Sequence, residues 1–178
     1  MTSSVHPSSS SSTSFTVREL CFAAVMAAVV FLATFVPRIP IPLGYAHLGD
    51  AAIFLMVLFL GRRETLIAAC FGSALSDLLG GFPLWIVPTL IIKYFMADIA
   101  WRIIRPDQKR ASLTRLVVGF LLASAWMAAA YTLFGAMLYD SLAAGLASAP
   151  GLIAEGVLNS AIAIVAAGIL QKTPLGRR

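Results

Sequence analysis

The 178 residues are 60% hydrophobic and only 12% charged, with a mean hydropathy of +0.90. A water-soluble domain of this size cannot hide so much apolar surface, so the composition indicates a protein embedded in lipid. Thirteen Lys and Arg against eight Asp and Glu give a net charge of +5, and in a membrane protein this excess marks topology rather than a nucleic-acid partner.

The chain begins with a low-complexity, serine-rich segment, residues 1–14. We expect it to be a disordered cytoplasmic tail, because it has too little apolar surface to offset the entropy of ordering. The apolar run that follows ends at Pro37 without a small-residue cleavage site, so it predicts a spanning helix rather than a signal peptide. We expect a membrane domain over residues 15–172 and a basic cytoplasmic tail over 173–178.

Six segments approach the roughly 20 apolar residues that a spanning helix requires. They lie near 16–36, 48–61, 64–80, 84–104, 113–138 and 151–171, and the second is short. The predicted fold is therefore an all-α integral membrane protein, a bundle of six transmembrane helices. If the six spans alternate, every Lys and Arg except Arg38 and Lys93 falls on one side, which predicts cytoplasmic N- and C-termini.

The connections on the opposite side mix Gly and Pro with aromatic or polar residues. They are residues 37–50, 78–85 and 139–151. Each alone is typical of a rigid connector, whereas three on one face favour the lid of a pocket.

Ionisable side chains inside a bilayer cost about 2.5–3.5 kcal/mol each, so each one within a predicted helix is a candidate functional residue. The candidates are Asp50, Asp77, Lys93, Asp98, Arg102 and Glu155. The i, i+4 spacing of Asp98 and Arg102 predicts a structural ion pair. The others could converge on one polar cavity, or Lys93 could pair with Asp77 or Glu155 only to neutralise buried charge.

Glu155 and Asn159 share a helix face and together could accept from and donate to a heteroaromatic ring. Trp85, Tyr45 and His47 could stack on or hydrogen-bond a flat ligand, although Trp and Tyr are also enriched at membrane interfaces. Two of the carboxylates also have structural explanations. Asp77 could only hydrogen-bond the turn at the end of its helix, and Asp50 could be a first-turn carboxylate favoured by the helix dipole.

Motifs for covalent chemistry, ATP binding and metal binding are missing from the sequence. His47 has no second ligand at metal spacing. We therefore expect no catalytic residues, no metal and no cofactor.

The first predicted helix carries two pairs of alanines at i, i+4 spacing, Ala23 with Ala27 and Ala24 with Ala28. Such pairs permit close approach of another helix. They predict a docking face for a membrane partner, and they are equally typical of packing within one protein.

Four stretches carry a family resemblance: AAVMAA, IPIPLGYAHLGDA, FGSALSDLLGGFPLW and PTLIIKYFMADI. With them the chain resembles, over about residues 15–172, the substrate-binding S components of energy-coupling-factor (ECF) vitamin transporters. Within that family it is most similar to the branch that handles pyridoxine-type vitamins, the hydroxymethyl-pyrimidine precursor of thiamin or riboflavin.

The resemblance implies a multi-pass protein of a prokaryotic inner membrane that captures a vitamin from outside. It also implies docking on a membrane scaffold subunit, toppling of the site towards the cytoplasm, and ATP hydrolysis by two partner ABC-type ATPases. The scaffold-docking residues would be Ala23, Ala24, Ala27 and Ala28. The substrate site would be formed by His47, Asp50, Asp77, Trp85, Lys93, Glu155 and Asn159.

Two other classes of protein fit the composition. One is a self-sufficient small channel or secondary carrier in which Asp77, Lys93 and Glu155 form an ion or proton pathway. The absence of an evident inverted repeat counts against the carrier. The other is a membrane enzyme that uses these carboxylates as acid and base, for which the sequence has no paired-carboxylate signature.

Overall fold

The computed structural model of the chain describes residues 16–105 and 111–170. Within them lie six α-helices and one small β-hairpin, so the all-α prediction and the number of helices are confirmed. The helices are α1 Val17–Phe35, α2 Gly49–Phe59, α3 Arg62–Gly80, α4 Ile86–Ile104, α5 Leu113–Leu138 and α6 Leu142–Leu170. The predicted tails, 1–14 and 173–178, lie outside the described residues.

Helix α2 forms the centre of the bundle. It packs against α1, α4 and α6, while α1 packs on α3 and α5 packs between α4 and α6. Its side chains Ile53, Phe54 and Val57 are fully buried. The ring of Phe54 stacks on that of Phe120 from α5 at a centroid distance of 4.6 Å, so the apolar core is continuous across the bundle.

The same helix is short because it fills only half the depth of the bundle. Its 11 residues rise about 16 Å, roughly half the thickness of a bilayer's hydrocarbon core. It begins beside Asn159, in the middle of α6. It ends where the guanidinium of Arg105, at the end of α4, donates to the carbonyls of Leu58 and Leu60 at 3.2 Å.

Before α2 the chain forms a hairpin that the sequence did not predict, and its Ile41 side chain lies against Gly151 of α6. Strands β1, Ile39–Ile41, and β2, Gly44–Ala46, pair antiparallel between α1 and α2. The turn between them places Leu43 at φ +66°, a conformation that is unfavourable for a bulky side chain. Irregular backbone at this depth is tolerated where it is buried in protein or lines a cavity.

The predicted start of the sixth helix, residue 151, is wrong. Helix α6 begins nine residues earlier at Leu142 and continues through Pro150. The hydroxyl of Ser141 accepts a hydrogen bond from the backbone N–H of Ala144 at 3.2 Å, as a capping residue does. Most of the predicted loop 139–151 is therefore helical, because Pro is tolerated within membrane helices and the preceding alanine-rich stretch favours a helix.

The outside of the bundle is apolar. Large hydrophobic side chains such as Phe71, Leu84 and Val165 are each more than 60% exposed, which is typical of a lipid-facing surface. Within the described ranges, four helices are long and apolar enough to cross a membrane, Val17–Phe35, Pro83–Ile104, Leu113–Leu138 and Leu142–Leu170. The span that begins at Pro83 includes a 3-10 helix, Pro83–Trp85, that precedes α4.

Asp98 lies near one end of the bundle and binds two arginines. Its carboxylate accepts from Arg102 at 2.8 Å, as the i, i+4 spacing predicted, and also from Arg62 of α3 at 2.6 Å. The predicted ion pair is confirmed, and the second arginine ties α3 to α4.

Candidate functional site: a cavity beneath the hairpin

A cavity lies beneath the hairpin, where it meets α3, α5 and α6. The empty space between its walls, including the part that is open to the outside, is about 510 Å³. The residues that line it combine aromatic, hydroxyl and carboxyl groups. They are Ile41, Pro42, Leu43, Gly44, Tyr45, His47, Asp77, Phe82, Trp85, Tyr131, Ser148, Leu152 and Glu155.

Trp85 and Tyr131 form the main aromatic wall of the cavity. Their ring centroids are 5.5 Å apart and the planes are tilted by 45°. The indole N–H of Trp85 hydrogen-bonds the hydroxyl of Tyr139 at 3.3 Å, and the hydroxyls of Tyr131 and Thr89 are 3.1 Å apart. Because their polar ends are held by neighbours, the ring faces are fixed in place.

Glu155 and Asn159 hold the turn that leads into α2. The side-chain amide of Asn159 donates to the carbonyl of His47 at 2.8 Å, and its oxygen accepts from the backbone N–H of Ala51 at 2.8 Å. The backbone N–H of His47 donates to Glu155 at 3.4 Å. Helix α6 thus fixes the floor of the cavity by bonds to backbone.

Lys93 pairs with Asp50 beneath this floor. Both residues are fully buried. The suggestion that Lys93 pairs with Asp77 or Glu155 is therefore wrong. The partner is Asp50, because α2 is centred in the bundle and its first turn faces α4.

Asp77 lies at the opposite wall, in the last turn of α3. One of its carboxylate oxygens accepts from the hydroxyl of Tyr45 at 3.4 Å, and the other is buried with no partner among the described residues. Burial raises the pKa of the Tyr45 hydroxyl above its usual value, so this hydroxyl is a neutral donor. The guanidinium of Arg38 covers the outer face of the Tyr45 ring at 4.3 Å.

The seven predicted substrate residues thus fall into two sets. His47, Asp77, Trp85 and Glu155 line the cavity. The structure places the other three, Asp50, Lys93 and Asn159, beneath it, fully buried and bonded to the protein.

Several lining residues were missed. Tyr131 directly follows a run of three alanines in α5, residues 128–130, which was a usable signal. Leu152 and Ser148 continue the face of Glu155 one and two turns earlier, respectively, and the wrong start of α6 concealed Ser148. The hairpin residues gave no periodic signal, because a three-residue strand is too short to show alternation.

The two predicted alanine pairs on α1 face different ways. Ala23 is fully buried and Ala27 is partly buried. The carbonyl of Ala27 lies so close to Gly72 of α3 that a methyl group there would approach it to 2.5 Å. This pair therefore serves packing within the molecule, whereas Ala24 and Ala28 are exposed.

Comparison with known proteins gives a match that covers most of the chain. Residues 14–175 match the family model of the ECF-type riboflavin transporter, S component. The chain belongs to this family. S components are multi-pass membrane subunits that bind the transported vitamin and have no catalytic activity, so the family and the non-enzymatic role predicted from the sequence are confirmed.

A second similarity is to a protein of Pyrococcus woesei described as "Uncharacterized protein in gap 3'region". It is 32% identical to this S component over 110 residues, which are 60% of this chain and 74% of that protein.

Proposed function

We propose that this S component captures a neutral, flat heteroaromatic vitamin in the cavity beneath the hairpin and delivers it to an ECF module. The vitamin proposed first is riboflavin, because the family whose model matches the chain bears that name. Pyridoxine and hydroxymethyl-pyrimidine, which the sequence resemblance favoured, are the competing ligands.

The observation that carries the proposal is the chemistry of the cavity walls. Trp85 and Tyr131 offer ring faces for stacking. Asp77 has an unpartnered oxygen, and Glu155 lines the cavity with one oxygen bonded to the turn below. A ring that stacks on the aromatic wall and donates hydrogen bonds from its N–H or O–H groups satisfies both sets of groups.

The cavity also disfavours anionic ligands. Two carboxyl groups line it, whereas its described lining residues include no Lys or Arg. Lys93 is paired with Asp50 beneath the floor. Arg38 donates to Ser76 and lies over the Tyr45 ring. We therefore expect free vitamins to bind in preference to their phosphate esters.

The membrane arrangement belongs to the same proposal. All six helices are embedded: the short α2 packs inside the bundle, and α3 presents an exposed apolar face that includes Phe71 and Leu79. Both termini face the cytoplasm, since the arginines at the Asp98 end then lie on the inside. The exposed pair Ala24 and Ala28 docks on the scaffold subunit, and two ABC-type ATPases on that scaffold supply the energy.

Calorimetric titration of the detergent-purified protein with each candidate vitamin tests the proposal. One vitamin should bind one to one, and Trp85→Ala should weaken it at least tenfold, about 1.4 kcal/mol. The matched control is Phe71→Ala, which removes an exposed aromatic side chain that does not line the cavity and should leave the affinity unchanged. Absence of binding by every vitamin, or equal loss in both variants, would contradict the proposal.

A further inference from the structure

Glu155 and His47 meet through a carboxyl oxygen and a ring nitrogen. Oε1 of Glu155 lies 3.1 Å from Nδ1 of His47. The backbone N–H of Gly49 donates to the same Nδ1 at 3.1 Å. A ring nitrogen that accepts a hydrogen bond carries no hydrogen, and an ionised carboxylate has none either. With both groups unprotonated at these atoms, two lone pairs would face each other.

A proton is therefore required between these atoms, and it is not on the imidazole. Burial, and next the Lys93 ammonium, lower the pKa of His47 from 6.5 to about 4. The imidazole is thus neutral at physiological pH. The bond from Gly49 independently selects the neutral tautomer in which Nε2 carries the hydrogen.

Among the residues that the structure describes, those around Glu155 include no cation without a partner of its own to balance a negative charge. Its side chain is only 3% exposed. The ionisable groups that face this pair come from every element packed around it, namely Asp50 of α2, Asp77 of α3, Lys93 of α4, Tyr131 of α5, and Arg38 and Tyr45 before α2. Lys93 already neutralises Asp50, and an additional unpaired carboxylate would be costly at this depth.

We propose that Glu155 is a protonated carboxylic acid that donates to Nδ1 of His47 and so locks the turn over residues 47–51 onto α6. Glu155 is then a positioning residue for the floor of the cavity. The inference that vitamin affinity falls when this proton is lost at alkaline pH rests on the proposed function.

Substitution of Glu155 by glutamine distinguishes between a protonated acid and a carboxylate at this position. The side-chain amide of Gln has nearly the same shape, donates to Nδ1 in place of the acid hydroxyl, and does not titrate. Asp77→Asn is the matched control, because it neutralises a carboxyl group of the same cavity that does not contact His47.

The sign of the pH effect follows from proton counting. An unfolded glutamate loses its proton above about pH 4.3, whereas the folded state retains it. The folded state therefore binds more protons, and stability falls as the pH rises from there until the folded state also releases the proton. For the wild type without ligand, the melting temperature should fall relative to that of Glu155→Gln as the pH rises above about 5. The melting temperature of Asp77→Asn should fall relative to that of Glu155→Gln in the same way as that of the wild type.

Infrared spectroscopy tests the proton directly and requires no ligand. The carbonyl stretching band of a protonated carboxylic acid should be present in the wild type and in Asp77→Asn at neutral pH, absent in Glu155→Gln, and lost from the wild type at alkaline pH. Absence of the band from the neutral wild type would overturn the proposal. If Glu155→Gln does not fold, the Asp77→Asn variant decides whether Glu155 is protonated. Its band should be present at neutral pH and lost at alkaline pH, and absence of the band at neutral pH would overturn the proposal.

The affinity for the vitamin tests whether the proton on Glu155 affects function. Above the pH at which Glu155 ionises, the wild-type Kd should rise by about tenfold per pH unit, and the Kd of Glu155→Gln should stay flat. A wild-type profile that matches the variant's would overturn the proposed link to affinity. If no vitamin binds at any pH, the proposed function fails, while the infrared and unfolding results still decide the protonation of Glu155.

Discussion

Replacement of Lys93 by methionine tests whether the buried ion pair beneath the cavity is structural. Both partners are fully buried, and the Oδ2 atom of Asp50 already has no hydrogen-bond partner among the described residues. Removing the ammonium leaves the carboxylate without its counter-ion, which typically costs about 3–5 kcal/mol. For a chain of this size that corresponds to a decrease of roughly 6–20 °C in melting temperature.

The assay is thermal unfolding in detergent, with two companion variants. Arg102→Met is the matched control, because its side chain is 67% exposed and Asp98 keeps Arg62 as a partner. It should cost less than about 1 kcal/mol. The double variant Asp50→Leu/Lys93→Met removes both charges and should recover most of the lost stability, because a pair replaced by apolar side chains of similar volume is often neutral.

Two results would refute this reasoning. One is a Lys93→Met variant as stable as Arg102→Met, which would mean that the pair is not enclosed. The other is a folded double variant that binds the vitamin more than tenfold more weakly than the wild type. That result would assign Asp50 or Lys93 a direct ligand contact, as the sequence suggested.

Two further predictions concern α1. Gly72→Ala should cost about 1–3 kcal/mol, since its methyl group would meet the Ala27 carbonyl. Gly168→Ala, where the added methyl group meets none of the described atoms within 4 Å, should be neutral or slightly stabilising. Equal melting temperatures of the two variants would contradict the close approach of α1 and α3. Ala24→Leu should leave vitamin binding intact but lower ECF-dependent uptake at least tenfold, whereas Val25→Leu, also on the exposed surface, should not. Uptake that is equally high in both variants would exclude Ala24 from the docking face.

The helices could be predicted from the sequence because lipid imposes a simple rule of length and hydropathy. Five of the six helices begin and end within two residues of the predicted bounds. The exception is α6, where Pro150 was taken as the start of the helix. In water that inference is sound, but a membrane bundle tolerates an interior proline, and the capping Ser141 was the signal that marked the true start.

The cavity was less predictable because its residues come from five separate segments. The sequence supplied His47, Asp77, Trp85 and Glu155, because polar and aromatic groups are conspicuous within apolar helices and the connections between them. It did not distinguish these lining residues from Lys93 and Asn159 beneath them. That distinction depends on how far into the bundle α2 begins. The hairpin that precedes α2 has no sequence periodicity from which this position could be predicted.

The most direct test of the account is uptake of the vitamin by proteoliposomes that contain this S component, with and without an ECF scaffold and its two ATPases. We expect ATP-dependent uptake only with the complete module, and its loss with Trp85→Ala but not with Phe71→Ala. Uptake by the S component alone, unaffected by ATP or by Trp85→Ala, would contradict the account and favour a solitary carrier that uses a different pathway.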